Sequence, residues 1–293
     1  MTLNRRLFLS LTAAAVSLTA LPAQATVSDW QGTGLGAALS LRLIGDDPHH
    51  ARRTFSRVEA EIARVEATAS LHRDSSLTRL NRDGRLAWPD PAFLALLDLA
   101  GQVHAATRGA FDPTVQPLWQ AIATGGDTVA ARAAIGWDRV RLSHEEIRLA
   151  PGQALTLNGI AQGWAADRIA ALLRAEGYAN ALIDMGEINA LGQREDAAPW
   201  RVAIAGPTGQ PLAETALTNR ALATSSPMGT RIGADRPHII GPAGQNPLWQ
   251  TAAVSAASAA LADALSTAFC LMSRAAIDDS LARFPDARLE ALA

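Results

Sequence analysis

Asp263 and Thr267 stand four residues apart in the run Ala262-Asp263-Ala264-Leu265-Ser266-Thr267-Ala268. On a helix that interval stacks a carboxylate and a hydroxyl on one face. Two such oxygens among alanines and leucines suit a hard cation such as magnesium, with other positions left for water, carbonyls or phosphate. A plainer reading also fits: a Thr bonded back to its own helix and an Asp on a wet face. The second candidate is Asn158-Gly159-Ile160-Ala161-Gln162-Gly163-Trp164-Ala165-Ala166-Asp167. Its glycines admit close backbone approach, and a helix start offers N–H groups to an anion. A phosphate cradle and helix-on-strand packing account for those glycines equally well. The third is Thr107-Arg108-Gly109-Ala110-Phe111-Asp112-Pro113-Thr114, where an aromatic beside a carboxylate could hold a planar heterocycle. A helix-ending turn with a buried Phe produces the same pattern. The fourth is His238, heading His238-Ile239-Ile240-Gly241-Pro242, either a proton-transfer group or a hydrogen-bonded structural imidazole.

These residues need elements to hold them. Ala37 to Ile44 reads as a short strand, and residues 49–68 carry Phe55, Val58, Ile62 and Val65 at helical spacing. Pro91 opens a second helix that gives way near Gly109, and a third runs from Gly159 to Glu176 with Gly177 as its stop. Strands are expected at Asn180 to Met185, Trp200 to Ala205, Glu214 to Leu217, Ala221 to Ser225, His238 to Ile240 and Thr251 to Ser255. An Ala-rich helix, Ala257 to Arg274, and an edge strand, Ala287 to Leu292, close the chain. No Gly-x-Gly-x-x-Gly follows a strand and strands do not alternate regularly with helices. The expectation is therefore one large α+β domain over residues 26–293, a mixed and mostly antiparallel sheet with packed helices.

Composition narrows the chemistry. The 26 basic and 28 acidic residues nearly cancel, leaving no basic field for nucleic acid. The single cysteine, Cys270, excludes a disulfide or a Cys-rich metal site and lies in an apolar run as inert core. Residues 1–25 read as an export signal: Arg5 and Arg6, an apolar stretch from Leu7 to Leu21, then Ala23-Gln24-Ala25. Asn4-Arg5-Arg6-Leu7-Phe8-Leu9 is similar to the twin-arginine signal, which predicts a soluble periplasmic protein and not a membrane-inserted one.

Taken in order, the motifs resemble those of the ApbE-type flavin transferases, periplasmic enzymes that move FMN from FAD onto a protein. Leu35-Gly36-Ala37 sits where that family has Met-Gly-Thr, and Asp74-Ser75-Ser76-Leu77-Thr78-Arg79-Leu80-Asn81 is similar to its Asp-Ser-Glu-(Leu/Ile)-Ser-x-(Leu/Phe)-Asn. Gly109-Ala110-Phe111-Asp112-Pro113-Thr114-Val115 matches outright. Gly159 to Asp167 resembles Gly-Ile-Ala-Lys-Gly-Tyr-Ala-x-Asp, Asp184 to Glu187 resembles Asp-Leu-Gly-Gly, Ala223-Thr224-Ser225 matches the start of Ala-Thr-Ser-Gly, and Ala262 to Ala268 resembles Ala-Asp-Ala-Leu-Ala-Thr-Ala.

The resemblance implies that Asp263, Thr267 and the main-chain carbonyl of Gly159 bind magnesium. It implies an FAD site made by Leu35, Leu71, Ala110, Phe111, Asp112, Thr156, Gln162 and Ile240, with Asp263 and His238 in catalytic roles. Several positions depart from the pattern: Gln162 for Lys or Glu, Thr156 for Asp, Leu71 for an aromatic, Gly241 for Asp, and Ser226-Pro227 for Gly-Asp. Gln162, the Asp184 to Ile188 string and the paired arginines look most like the NosX branch, whose members serve the flavoprotein of nitrous-oxide respiration. The implied reaction is transfer of FMN from FAD to a Thr or Ser hydroxyl of an acceptor, a membrane-associated protein with a periplasmic flavin domain, with release of AMP. A magnesium-dependent FAD pyrophosphatase and a flavin-holding protein without turnover are the alternatives.

Overall fold

The computed structural model describes residues 26–45 and 47–293, so the export stretch lies outside the described residues. In chain order the strands are β1 (Val27–Gly34), β2 (Ala37–Ile44), β3 (Arg85–Ala87), β4 (Arg141–Leu142), β5 (Glu146–Arg148), β6 (Ala181–Asp184), β7 (Ile188–Leu191), β8 (Trp200–Ala205), β9 (Pro211–Leu217), β10 (Arg220–Ser225), β11 (Arg231–Ile232), β12 (Arg236–Pro237), β13 (Ala252–Ala256) and β14 (Arg288–Leu292). The helices are α1 (Pro48–Ala69), α2 (Ser76–Asp83), α3 (Pro91–Ala106), α4 (Gln116–Thr124), α5 (Thr128–Ala133), α6 (Ala161–Ala175), α7 (Ala259–Phe269) and α8 (Arg274–Leu281).

A seven-stranded sheet in the order β1-β2-β6-β7-β10-β13-β14 forms the frame, and each of its neighbouring pairs is antiparallel. Alternation along each strand sorts the residues between two faces. Ala221 and Ala223 of β10 face the helices, while Leu222 joins Trp200, Val202, Ile204 and Leu217 of the β8–β9 hairpin on the other side. The helical face carries two apolar clusters. One packs α1 and α6 on β2 and β6 through Val58, Ile62, Val65, Ile169 and Leu173; the other packs α3 and α7 on β10 and β13 around Phe93, Leu97, Leu265 and Phe269. The fold is an α+β single domain built on a mostly antiparallel sheet. Among the described residues no helix is long and apolar enough to cross a membrane.

α7 is buried on nearly every side, with Ala259, Ala260, Ala262, Ala264 and Ala268 all inaccessible to solvent. Alanine combines the best helix propensity with the smallest side chain, so α7 can lie directly on the small-residue strands β10 and β13. Its expected end at Arg274 is corrected. α7 stops at Phe269, and Ser273 caps a new helix, α8, by accepting the Ala276 N–H. The strand expected at His238 to Ile240 is also corrected. Pairing ends at Pro237, and His238 turns back to donate its N–H to the Pro227 carbonyl at 3.0 Å. Cys270 is buried, and burial pushes its thiol up to about 12, so it stays un-ionised core.

Candidate functional site

The site is assembled where α6 crosses α7. A Cβ on Gly163 would fall 2.2 Å from the Ala259 carbonyl oxygen, so only glycine permits the two backbones to approach this closely. Its N–H is also used, donating to Asp263 Oδ2 at 3.1 Å. The cradle reading of Gly163 is thereby corrected: its position serves packing, and its N–H is spent on Asp263. One turn later Asp167 reaches across to accept from Ala259 N at 2.8 Å, Ala260 N at 3.0 Å and Ser258 Oγ at 2.7 Å. α7 is thus capped by a carboxylate from another helix, placed where its N–H groups and dipole favour negative charge. Asn189 of β7 donates to the same carboxylate at 2.9 Å. Asp167→Ala would strand these donors, and we expect a loss of about 3 kcal/mol, read as a lowered midpoint in urea unfolding.

Asp263 is 3% exposed, and its second oxygen has no donor among the described residues. Thr267 lies one turn on, its Oγ1 3.3 Å from Ser225 Oγ at the end of β10. A Cβ on Gly159 would meet Thr267 Oγ1 at 2.8 Å, so the Gly159 main chain abuts the Thr267 hydroxyl. Asp263, Gly159 and Thr267, separated in sequence, are brought together.

Glu187 was not singled out as a site residue. It is buried, accepts the Thr224 N–H at 3.1 Å, and senses the charge of Asp263. Burial, reinforced by that charge, holds its carboxyl well above the ordinary range. Burial likewise pushes Asp263 up to about 7, with the charge of Asp167 adding to the effect. All 26 basic residues are arginine, and among the described residues none of them relieves Asp263, Glu187 or Asp167. Buried carboxylate oxygen without an arginine partner among the described residues, with the Thr267 hydroxyl one turn on and the Gly159 main chain against it, is a donor set that fits a hard divalent cation.

These shifts make stability depend on pH in the metal-free chain. Unfolded, Asp263 titrates near 3.8; folded, near 7. Stability present below pH 4 is therefore lost as pH rises through the folded value, by about 4 kcal/mol for a shift of this size. In EDTA, the difference in unfolding free energy between wild type and Asp263→Asn should change by that order between pH 4 and pH 8. A pH-independent difference would show that the Asp263 carboxyl is not held in this way.

Other expected site residues are held by several different elements. Leu35 is at the β1–β2 turn with φ +53°, its N–H held by Glu66 Oε1 at 3.0 Å, and its carbonyl lies 3.4 Å from Gln162 Nε2. Gln162 also lies against Gly186, where a Cβ would come within 2.4 Å of its amide. Thr156 donates its N–H to the Pro113 carbonyl at 2.8 Å, joining the Gly109–Thr114 turn to the loop before Gly159. Asn81 of α2 clamps that loop from the other side, donating to the Leu155 carbonyl at 2.8 Å and accepting its N–H at 2.7 Å. Ala110 and Leu71 are half-buried against the α3–α7 cluster, and Ile240 is buried.

The Gly109–Thr114 turn, which the resemblance places at the FAD site through Ala110, Phe111 and Asp112, is tightly packed. The Phe111 ring is 5% exposed and sits in the core. Asp112 accepts from Thr114 N at 2.8 Å and Thr114 Oγ1 at 2.6 Å, closing its own turn. His238 hangs from the segment after β10. Its Nδ1 lies 2.8 Å from the Pro227 carbonyl, and burial holds its imidazole below its usual pKa.

Comparison with known proteins accounts for this gathering of motifs. The chain is 28% identical over 198 residues to the FAD:protein FMN transferase of Salmonella typhimurium strain LT2, covering 61% of this chain and 57% of that protein. It is 30% identical over 205 residues to the enzyme of that name from Klebsiella pneumoniae strain 342, covering 63% and 58%. The matched region thus spans less than two thirds of these relatives. The apo flavinyl transferase ApbE of Pseudomonas stutzeri superposes with a TM-score of 0.78 at 26% identity over 91% of each chain. The flavin transferase ApbE of Vibrio cholerae gives 0.77 at 23% identity over 89% of this chain and 92% of that one, a likeness of fold. The ApbE family model matches residues 35–292, which takes in the α6–α7 crossing and every described motif around it, and the chain belongs to the ApbE family.

Proposed function

We propose that this protein transfers FMN from FAD to a Thr or Ser hydroxyl of an acceptor protein, releasing AMP. The observation that carries the reading is the oxygen set of Asp263, Thr267 and Gly159 at the α6–α7 crossing, within a family match whose curated relatives bear the name FAD:protein FMN transferase. A magnesium ion held by these three groups would neutralise charge on the diphosphate as it divides. Asp263 is kept in place by the Gly163 N–H, and Thr267 by Ser225. Leu35, Gln162, Thr156, Ala110, Phe111, Asp112, Leu71 and Ile240 line the approach for FAD in this reading, chiefly through main chain and apolar contact. His238, neutral at pH 7 because its pKa is depressed, receives the proton of the attacking hydroxyl. Positioning and electrostatics then carry most of the rate, without a covalent enzyme intermediate.

The acceptor in this proposal is a membrane-associated protein with a periplasmic flavin domain. Support comes from Arg5 and Arg6 ahead of the Leu7 to Leu21 stretch, and from Gln162 with the Asp184 to Ile188 string, which resemble the NosX branch serving nitrous-oxide respiration. The test is to incubate the protein with FAD, magnesium and a candidate flavin domain and record the intact mass of that domain. An FMN adduct formed with equimolar AMP supports transfer. AMP without adduct marks a pyrophosphatase, and bound FAD without AMP marks a flavin carrier.

A further inference from the structure

His238 is held at both ends of its backbone as well as through its ring. Its N–H donates to the Pro227 carbonyl at 3.0 Å, and its own carbonyl accepts the indole N–H of Trp119, on α4, at 3.1 Å. Its Nδ1 faces two oxygens, the Pro227 carbonyl at 2.8 Å and the Thr230 carbonyl at 3.2 Å. Carbonyl oxygens only accept, so the hydrogen between them must be carried by Nδ1. In a neutral imidazole that leaves the lone pair on Nε2. Neutral imidazole in water favours the opposite arrangement, with hydrogen on the distal nitrogen, so the protein has to impose this one.

The imposing element is built from sequence. Ser226-Pro227-Met228-Gly229 is a turn closed by the Gly229 N–H on the Ser226 carbonyl at 2.8 Å, with proline at its second position. Proline there fixes φ and so limits the directions its carbonyl can take. The turn leaves β10 directly after Ser225, whose hydroxyl touches Thr267. Imidazole orientation is thereby tied through a short rigid segment to the helix that carries Asp263.

We propose that the Pro227 and Thr230 carbonyls lock His238 in its Nδ1–H form, so that Nε2 is the proton-accepting atom, and that Trp119 is the positioning residue that maintains the lock. The inference deepens the transferase reading and rests on it for the identity of the proton donor. In the step, the O–H bond of the acceptor hydroxyl breaks and its proton goes to Nε2. The oxygen forms a bond to the FMN phosphorus, and the P–O bond to AMP breaks with its electron pair leaving on AMP. The imidazolium then returns its proton to water. Its two carbonyl partners also stabilise that transient cation, since charge strengthens both hydrogen bonds.

The test is nitrogen-15 NMR of the imidazole rings in the folded full chain without FAD, with His238→Gln identifying the signals among the six histidines. Expected in wild type at alkaline pH are a protonated-type Nδ1 and an unprotonated-type Nε2. The reverse assignment overturns the lock, and it does so without reference to activity. Trp119→Phe keeps a ring and removes the donor; it should mix the two forms and lower kcat for FMN transfer on the order of tenfold while KM for FAD stays unchanged. An unmixed spectrum with full kcat overturns the role of Trp119. If the wild-type spectrum is as expected but His238→Gln transfers FMN at the wild-type rate, Nε2 is not the proton acceptor. Absence of any FMN adduct with wild type would instead overturn the transferase reading, leaving the tautomer measurement intact.

Discussion

Asp263→Asn is expected to lower kcat/KM for FMN transfer on the order of 10³-fold while leaving the protein folded. The substitution keeps size, shape and an oxygen for the Gly163 N–H, which lies 3.1 Å from Asp263 Oδ2. It removes the negative charge that a hard cation requires in a site with no other unpaired acid on α7. The folded state should gain near neutral pH, because the variant no longer buries a carboxyl raised to about 7. Steady-state rates across a magnesium titration check the first effect and urea unfolding in EDTA the second. Wild-type activity at millimolar magnesium, in a variant melting at or above the wild-type temperature, would remove Asp263 from the site. Thr267→Val should cost less, since water can take the place of a neutral hydroxyl.

Gly163→Val carries the second large effect, and it is one of folding. The new Cβ would sit 2.2 Å from the Ala259 carbonyl oxygen, 2.5 Å from the carbon and 2.7 Å from the Ala260 nitrogen. All three atoms are backbone, so α6 and α7 must separate, and separation also pulls Asp167 from the N–H groups it caps. We expect a loss of 3 kcal/mol or more, the upper end of overpacking, read from the midpoint of urea unfolding. Gly159→Ala provides the contrast. Its Cβ meets the Thr267 side chain at 2.8 Å, which can rotate away, so the fold survives and magnesium binding suffers. A Gly163→Val protein as stable as wild type would show that the crossing is looser than the distances imply.

Regular patterns were legible in the sequence where one face of an element is buried. β2 and β8 run over the residues that the short runs between turn residues marked as strands, and α3 opens at Pro91 as its proline implied. β1 went unread because Val27–Gly34 is half-exposed and polar; its strand character comes from pairing residue for residue with β2. α2 is only eight residues long, and its signal is local: the Ser75–Thr78 capping box. The site motifs were visible as residue types, but their division of labour was not. Nothing in a one-dimensional string separates a glycine facing a ligand from one facing Ala259. Glu187 was hidden for the same reason, since its burial and its neighbour Asp263 arise only when β7 and β10 pair.

The cap that Asp167 places on α7 has a consequence for exchange of backbone hydrogens with solvent. The amides of Ala259 and Ala260 bond to an α6 carboxylate, and the amide of Gly163 bonds to an α7 carboxylate. None of the three can meet deuterium until the two helices part. Corrected for their intrinsic rates, they should therefore report one common opening free energy, although Gly163 lies almost a hundred residues from the other two in the chain. Opening that exposes them also dismantles the oxygen set at Asp263, Thr267 and Gly159. Magnesium bound there would slow all three amides by the same factor, set by its concentration relative to its Kd.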